Sequence, residues 1–369
     1  MTADLLPALI AILLERPIEP HNCVVTLRQV RDERLARLLH YRLAKLSDAT
    51  RREHCYALLD ELPEQAASEL LRAPRLCQAL RQGGDDGQQL ATLIEAAHIA
   101  AGDEHLDDWS PLGHLWLGEA PPADTPGLTR IGRRWAGPRL ACGVPIDLSL
   151  PPRLVHPSAG LRQASLPDRR RLDADRAAID EALNLLCQTV PLGFDLYHGL
   201  VGNLVLRQEA SRPHECWGAT SGVVIGRVVM VNTSAATSPA MLAEALLHEA
   251  VHCALDCAEL VHPLLDWERF ADPAVNDTRP SPWTGNPLTP HAFIHACVVW
   301  AVLHRYWREY HARFVESPGS RERQRFIERG FAASAFMVSA DHAGRFLSRT
   351  APAIMARTRE GLLEEKATV

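Results

Sequence analysis

The sequence predicts an α+β, predominantly helical fold: an N-terminal helical lobe, a short central sheet and a C-terminal helical metal-binding core. Three observations carry this expectation. Leucines recur at helical steps through the first hundred residues, and strand-like apolar runs are confined to the middle of the chain. Near the C-terminus, two long apolar segments open on Ser238-Pro239 and Thr289-Pro290, each pairing a hydroxyl N-cap with a first-turn proline. At 369 residues the chain is long enough for two domains or one large one. We divide it into 1–115 (helical lobe), 116–237 (mixed α/β) and 238–369 (helical, carrying the histidines).

Taken in order, Leu5–Leu14 reads as a first buried helix. Asp4 precedes it and Glu15-Arg16 follows, so it lacks the basic start and small-residue cleavage site of a signal peptide. It is also too short to span a bilayer. Leu35, Leu38, Leu39, Leu43 and Leu46, then Leu58, Leu59 and Leu62, mark further helices, with Pro63, Pro74 and the 83–87 glycine loop as breaks. A helix is expected near Gln89–Ala101.

From 128 to 235 the character changes. Pro145, Pro151 and Pro152 interrupt Leu140–Leu150 and Leu154–His156, which suits edge strands or extended loops. Leu172–Val190 is a helix with one apolar stripe. Arg169-Arg170-Arg171 reads as a solvated loop entering it. Leu204–Gln208 and Val223–Val231 are strand candidates, the second a bulged strand or a hairpin because Gly226-Arg227 interrupts it. Helices are then expected from Pro239 to about Leu260, from Pro290 to about Arg313, and over 320–338 and 341–364.

Composition narrows the function classes. Lysine and arginine number 39 against 45 acids, a net charge of −6, so a broad nucleic-acid-binding surface has no support. The nine cysteines are odd in number and form no CxxC pair, which fits a reducing cytoplasm rather than a disulfide framework. The expectation is a cytoplasmic protein with no nucleic-acid or membrane partner.

The chemistry-bearing motif is His248-Glu249-Ala250-Val251-His252. Residues i and i+4 lie roughly 40° apart around a helix, so both imidazoles leave one face and can share a metal. With 17 histidines, this composition yields HExxH by chance in roughly one chain in twenty, so context must decide. The motif sits within Ala-Leu-Leu-His-Glu-Ala-Val-His-Cys-Ala-Leu, an apolar segment. Buried imidazoles beside a carboxylate need partners, and a metal supplies them.

The third ligand decides the chemistry. Leu255 and Ala258 stand where the metzincin continuation needs Gly and His, which excludes that family. Glu259 and Glu268 do not sit in a convincing glutamate-ligand pattern. His291 and His295 share one face of an otherwise apolar helix. His295, deeper in the apolar run, is the first choice, and His291 is the alternative or a contact for an anionic co-substrate. Asp256, four residues after His252, either orients a ligand imidazole or is an exposed helix acid. Cys253 and Cys257 read as small core residues, and His198, His214 and His342 as structural.

Glu244 through His252, Ser281-Pro282-Trp283, and Leu288 through Trp300 resemble the HExxH-motif proteins found beside peptide natural-product genes. These are iron(II)- and 2-oxoglutarate-dependent β-hydroxylases of the αKG-HExxH type. The likeness continues through Leu71-Arg72-Ala73-Pro74, the helix at 172–190 and Gly226–Val231. The resemblance implies that His248 and His252 ligate iron and that His295, followed by Ala296, completes the site. Glu249 would then hold water or substrate rather than the metal.

Many relatives carry arginines after Ser-Pro-Trp, where this chain reads Trp283-Thr284-Gly285-Asn286-Pro287. Arg279, Arg305, Arg227 and His291 are therefore candidates for the distal carboxylate of 2-oxoglutarate. Three protein ligands leave open positions for a chelating oxoacid and dioxygen. The implied reaction is hydroxylation, at Cβ, of an amino-acid side chain, free or in a peptide, in natural-product biosynthesis. The alternative is a zinc metallopeptidase with Glu249 as general base.

Overall fold

The computed structural model describes residues 5–14, 20–82, 87–102, 104–122, 125–149, 164–236, 238–265, 278–314, 318–334, 348, 351, 354–356 and 358. The N-terminal segment forms α1 (Leu5–Leu14), α2 (Pro20–Ala44), α3 (Ala49–Glu61), α4 (Glu64–Arg72), α5 (Pro74–Gln82) and α6 (Gln88–Ala101). Local chemistry sets their ends. Asp48 caps α3 by accepting from the Arg51 amide, and prolines stand where α4 and α5 begin. A small antiparallel sheet follows, from β1 (Leu115–Trp116), β2 (Thr129–Ile131) and β3 (Arg134–Ala136), in the order β1-β3-β2.

Helix α7 (Arg169–Thr189) starts inside the arginine run, because Asp168 accepts from the Arg171 amide and caps it. The expected loop there is the helix's first turn. After α8 (Pro191–Leu200) comes the central sheet of β4 (Asn203–Arg207), β5 (Trp217–Ala219) and β6 (Arg227–Val231), ordered β4-β6-β5. β4 and β6 are parallel with Asn203 opposite Arg227, and β5 is antiparallel to β6 with Trp217 opposite Val231. The expected strand from Val223 is shorter. Residues 222–226 are a turn, and Gly226 holds φ +86°, the left-handed region where a side chain is strained. Residues 223–225 form no strand; the turn instead joins β5 to β6 as an antiparallel hairpin whose first strand is Trp217–Ala219. Pro145 and Ile146 do lie at a sheet edge, Ile146 bridging Leu204 in parallel.

Helix α9 (Pro239–Glu259) is the centre of the molecule. Nearly all its faces are apolar, and it packs against α1, α2, α7, α8 and α10 (Pro290–Arg313). Ser238 and Thr289 cap α9 and α10 as expected, accepting from the Met241 and Ala292 amides. The hairpin of β7 (Arg279–Pro280) and β8 (Pro287–Leu288) leads into α10, and α11 (Pro318–Ser334) packs back on it. One apolar cluster takes residues from all three segments of the chain. Leu154–His156 and most of 341–364 lie outside the described residues, although 351, 354–356 and 358 are helical. No helix among the described residues is long and apolar enough to cross a membrane. All nine cysteines are free thiols, and Cys253 and Cys257 are buried core residues.

Candidate metal centre

The packing of α9 on α10 brings the four predicted histidines into one row. His248 Nε2 lies 3.2 Å from His252 Nε2, and His252 Nδ1 lies 3.3 Å from His295 Nδ1. His295 Nε2 then meets Glu259 Oε1 at 2.5 Å, and His291 Nε2 meets the same carboxylate at 2.8 and 3.0 Å. Both expected ligand pairs are therefore adjacent. Glu259, which the sequence reading set aside, is the correction. It falls seven residues after His252, two helical turns, and so on the same face of α9.

The three expected ligands do not converge on one point with the rings as they stand. His252 turns one nitrogen to His248 and the other to His295. Among the described residues, the group whose donor atoms all lie within 4.8 Å of one another is Glu259, His291 and His295.

Electrostatics follow from burial. Burial, aided by the Arg323 charge, pulls His248 down to about 4. Burial and the neighbouring imidazoles hold His252 well below its usual value. Both rings are neutral at pH 7, as ligation requires. Burial opposes charge on His295, but the Glu259 hydrogen bond and charge prevail and raise it. Burial would raise Glu259, yet its bonds to His291 and His295 hold it well below the usual carboxylate range.

A cavity of about 790 Å³ opens on one end of this row. His248 and Glu249 line it, with Trp217, Trp300, Glu244 and Arg323. Glu249 is buried and is pushed up to about 8, chiefly by burial and also by Asp256, against a Thr220 hydrogen bond. Glu244 takes the Arg323 guanidinium at 2.6 and 2.9 Å and the Trp307 indole N–H at 2.7 Å. Trp300 sits between His248, whose ring centre is 5.9 Å away, and the guanidinium, 5.1 Å away. The sum of these contacts caps the distance from His248 to Arg323 at about 11 Å.

The arginines expected to contact the oxoacid lie away from this cavity. Arg305 donates to the Leu13 carbonyl and tethers α10 to α1. Arg279 is exposed in the β7–β8 hairpin, and Arg227 is buried beside Asp147. None of the three lines the cavity. Arg212 and Arg323 do; Arg323, on α11, stands over Trp300, and no spacing signal in the sequence marked it. His214, read as structural, also lines the cavity, whereas His198 stacks on Phe194. Asp256 stands against Gly222, where an added Cβ would come within 2.9 Å of its carboxylate. Burial raises Asp256 to about 6. His342 and Glu268 lie outside the described residues.

No protein-family profile and no curated protein matches this chain.

Proposed function

We propose that this protein is an iron(II)- and 2-oxoglutarate-dependent hydroxylase of the αKG-HExxH type, acting on an amino-acid side chain, free or in a peptide. The observation that carries the reading is the row His248, His252, His295, anchored by Glu259 and open to a cavity at the His248 end. The residues fit a metal. A separation of 3.2 Å between His248 Nε2 and His252 Nε2 matches two ligand atoms on one ion, about 3.0–3.4 Å for bonds near 2.1 Å. Both rings are neutral and partly buried, and an ion gives them a common partner.

His248, His252 and His295 would hold the iron. Glu259 plays the supporting part common around metal-ligating histidines, accepting from the far nitrogen of His295 and fixing its orientation. When bound, iron and the oxoacid supply the activation of dioxygen that hydroxylation of a C–H bond requires. Arg323, held by Glu244 and stacked on Trp300, would receive the distal carboxylate of 2-oxoglutarate. A five-carbon diacid spans about 5 Å between its end carbons, so with a metal bond and a hydrogen bond it bridges the distance from His248 to Arg323. Trp217 and Trp300 keep water from the reacting centre. Glu249, pushed up to about 8 by burial, would face the substrate from the cavity wall beside His248. Free thiols suit a cytoplasmic setting.

A second ligand assignment has its own support. Glu259, His291 and His295 form a two-histidine, one-carboxylate set of the kind that binds non-haem iron. The cavity favours the first assignment, because it reaches His248. The zinc-peptidase alternative rests on Glu249 at the cavity wall. Anaerobic reconstitution with iron(II), followed by assay of succinate release from 2-oxoglutarate, tests the reading. Absence of 2-oxoglutarate turnover with zinc-supported peptide cleavage would replace it with the peptidase.

A further inference from the structure

A second concentration of buried charge lies where the helical lobe meets the central sheet. Arg227 opens β6 and is 2% exposed, yet its Nε, Nη1 and Nη2 have no hydrogen-bond partner. The acid beside it is Asp147, whose Oδ2 is 3.8 Å from Nη2, an ion-pair distance too long for a hydrogen bond. Asp147 is already engaged. Its Oδ1 accepts from the Ser149 amide and hydroxyl, and its Oδ2 accepts from Asn203.

Helix α5 lies across the same place. Arg81 donates to the Gly222 carbonyl, and the Cys77 thiol donates to the Val223 carbonyl at 3.7 Å. The start of α5 rests on Gly202, where an added Cβ would meet the Arg72 carbonyl at 2.4 Å and Pro74 Cδ at 3.3 Å. Gly202 in turn donates its amide to Gly226, the residue before Arg227. The helix therefore tracks the 222–226 turn and sets Arg75, in its first turn, where it repels the Arg227 charge. Arg75 Nη1 is also buried and without a partner. Arg31, which donates to the Leu200 carbonyl at 3.3 Å, is neutralised by Asp32 at 2.8 Å. Arg75 and Arg227 have no such acid of their own among the described residues, and Asp147 also faces Arg207.

We propose that Arg75 and Arg227, beneath the start of α5, bind a small inorganic oxyanion of the phosphate type. Guanidinium forks pair with phosphate and carboxylate oxygens alike. Four unpartnered nitrogens on two forks call for several acceptors at once, which the four oxygens of a tetrahedral anion supply. The start of a nine-residue helix adds its positive end to the same spot. Size selects the inorganic ion over an organic ester, because Arg227, paired to β4 at Asn203, is only 2% exposed. Arg75 is only half-buried and marks the side facing solvent. The site is independent of the metal reading.

The test uses the full-length protein at constant ionic strength, with phosphate exchanged for chloride. The melting temperature should rise by roughly 3–4 °C as phosphate approaches ~100 times its dissociation constant, and should keep rising with the logarithm of phosphate concentration. Titration calorimetry should give one phosphate per chain, with sulfate competing. Arg75→Gln, at a half-buried position that keeps the fold, should abolish both responses, and Arg227→Lys should weaken them. The proposal is overturned if phosphate and chloride give equal melting temperatures in the wild type. It is equally overturned if Arg75→Gln keeps the full phosphate response, or if stabilisation only grows linearly with salt and calorimetry shows no site.

Discussion

His252 and His295 touch through their Nδ1 atoms at 3.3 Å, and this contact joins the two histidine-bearing helices. It extends the HExxH pair across the helix interface to Glu259 and His291. The row has two ends. His248 meets the cavity, and Glu259 with His291 closes the other side.

The ligand assignments separate by metal content. His248→Ala and His252→Ala should abolish iron binding with the fold largely kept, and His295→Ala should lose more iron than His291→Ala. Elemental analysis of the purified variants decides this. Glu259→Gln should weaken iron binding by roughly 10- to 100-fold if it only orients His295. Loss of metal in His291→Ala with retention in His248→Ala would place the ion on Glu259, His291 and His295 instead.

Glu249→Gln distinguishes the two chemistries. With its acid raised to about 8, Glu249 is neutral at pH 7, and glutamine copies that state. The hydroxylase should therefore keep iron and 2-oxoglutarate-dependent succinate formation, with poorer coupling to product. A peptidase would lose several orders of magnitude in turnover, since it needs the carboxylate as base. The readouts are succinate release and zinc-supported cleavage of generic peptides.

Arg323→Gln should raise the half-saturating 2-oxoglutarate concentration by roughly 10- to 100-fold, the worth of a charged hydrogen bond. Iron occupancy should stay near wild type. Intrinsic tryptophan fluorescence offers an activity-free measure, because Trp300 lies 5.1 Å from the guanidinium. Equal 2-oxoglutarate affinity in the variant would remove Arg323 from the assignment.

Gly218 faces both Glu249 and Met230, and an added Cβ would sit 2.9 Å from Glu249 Oε1 and from Met230 Sδ. Gly218→Ala should cost about 1–3 kcal/mol through overpacking, measured by denaturant unfolding. Wild-type stability in that variant would show that Glu249 is free to move aside.

Stability should fall on the acid side through His114. Burial, with the Arg139 charge beside it, lowers this ring to about 3, against 6.5 as its ordinary value. The folded ring stays neutral while the unfolded one takes a proton, so its contribution is whole above pH 6.5 and is lost as pH falls towards 3. The slope is about 1.4 kcal/mol per pH unit in that window. Chemical unfolding at pH 7, 6, 5 and 4 should show a shallower decline in His114→Gln. An identical decline would reject the assignment.

Helix boundaries near the site were legible because their chemistry is local. Ser238-Pro239 and Thr289-Pro290 fix the helix starts through hydroxyl caps and missing amides, and α10 ends at Arg313 as expected. The i, i+4 histidines were visible for the same reason. Glu259 carried a signal too, its two-turn offset from His252, but its value appeared only when α10 supplied His291 and His295. Arg323 was not legible. It acts through Glu244, 79 residues away, and nothing local in α11 distinguishes it from neighbouring arginines. The turn at 222–226 was misread as strand because Val223, Val224 and Ile225 are β-favouring, while the left-handed Gly226 ends the strand locally.

A neutral imidazole carries one N–H, so a row of touching rings has a direction. Glu259 is held as a carboxylate and can only accept, so His295 Nε2 bears the hydrogen. When His295 is neutral, its Nδ1 is an acceptor, and His252 then donates from Nδ1. His252 Nε2 is then left as a bare lone pair turned towards His248, the form in which an imidazole meets a metal. A proton added to His295 reverses the order: its Nδ1 becomes the donor, His252 changes tautomer, and Nε2 acquires a hydrogen. Because Glu259 raises His295, the first arrangement needs a pH high enough to leave His295 neutral. Histidine ring ¹⁵N shifts in the metal-free protein should report it there, and an Nε2–H tautomer at His252 under those conditions would refute it. Polarity in the row thus runs from a carboxylate two turns along α9, which decides whether its cavity end offers a ligand or a donor.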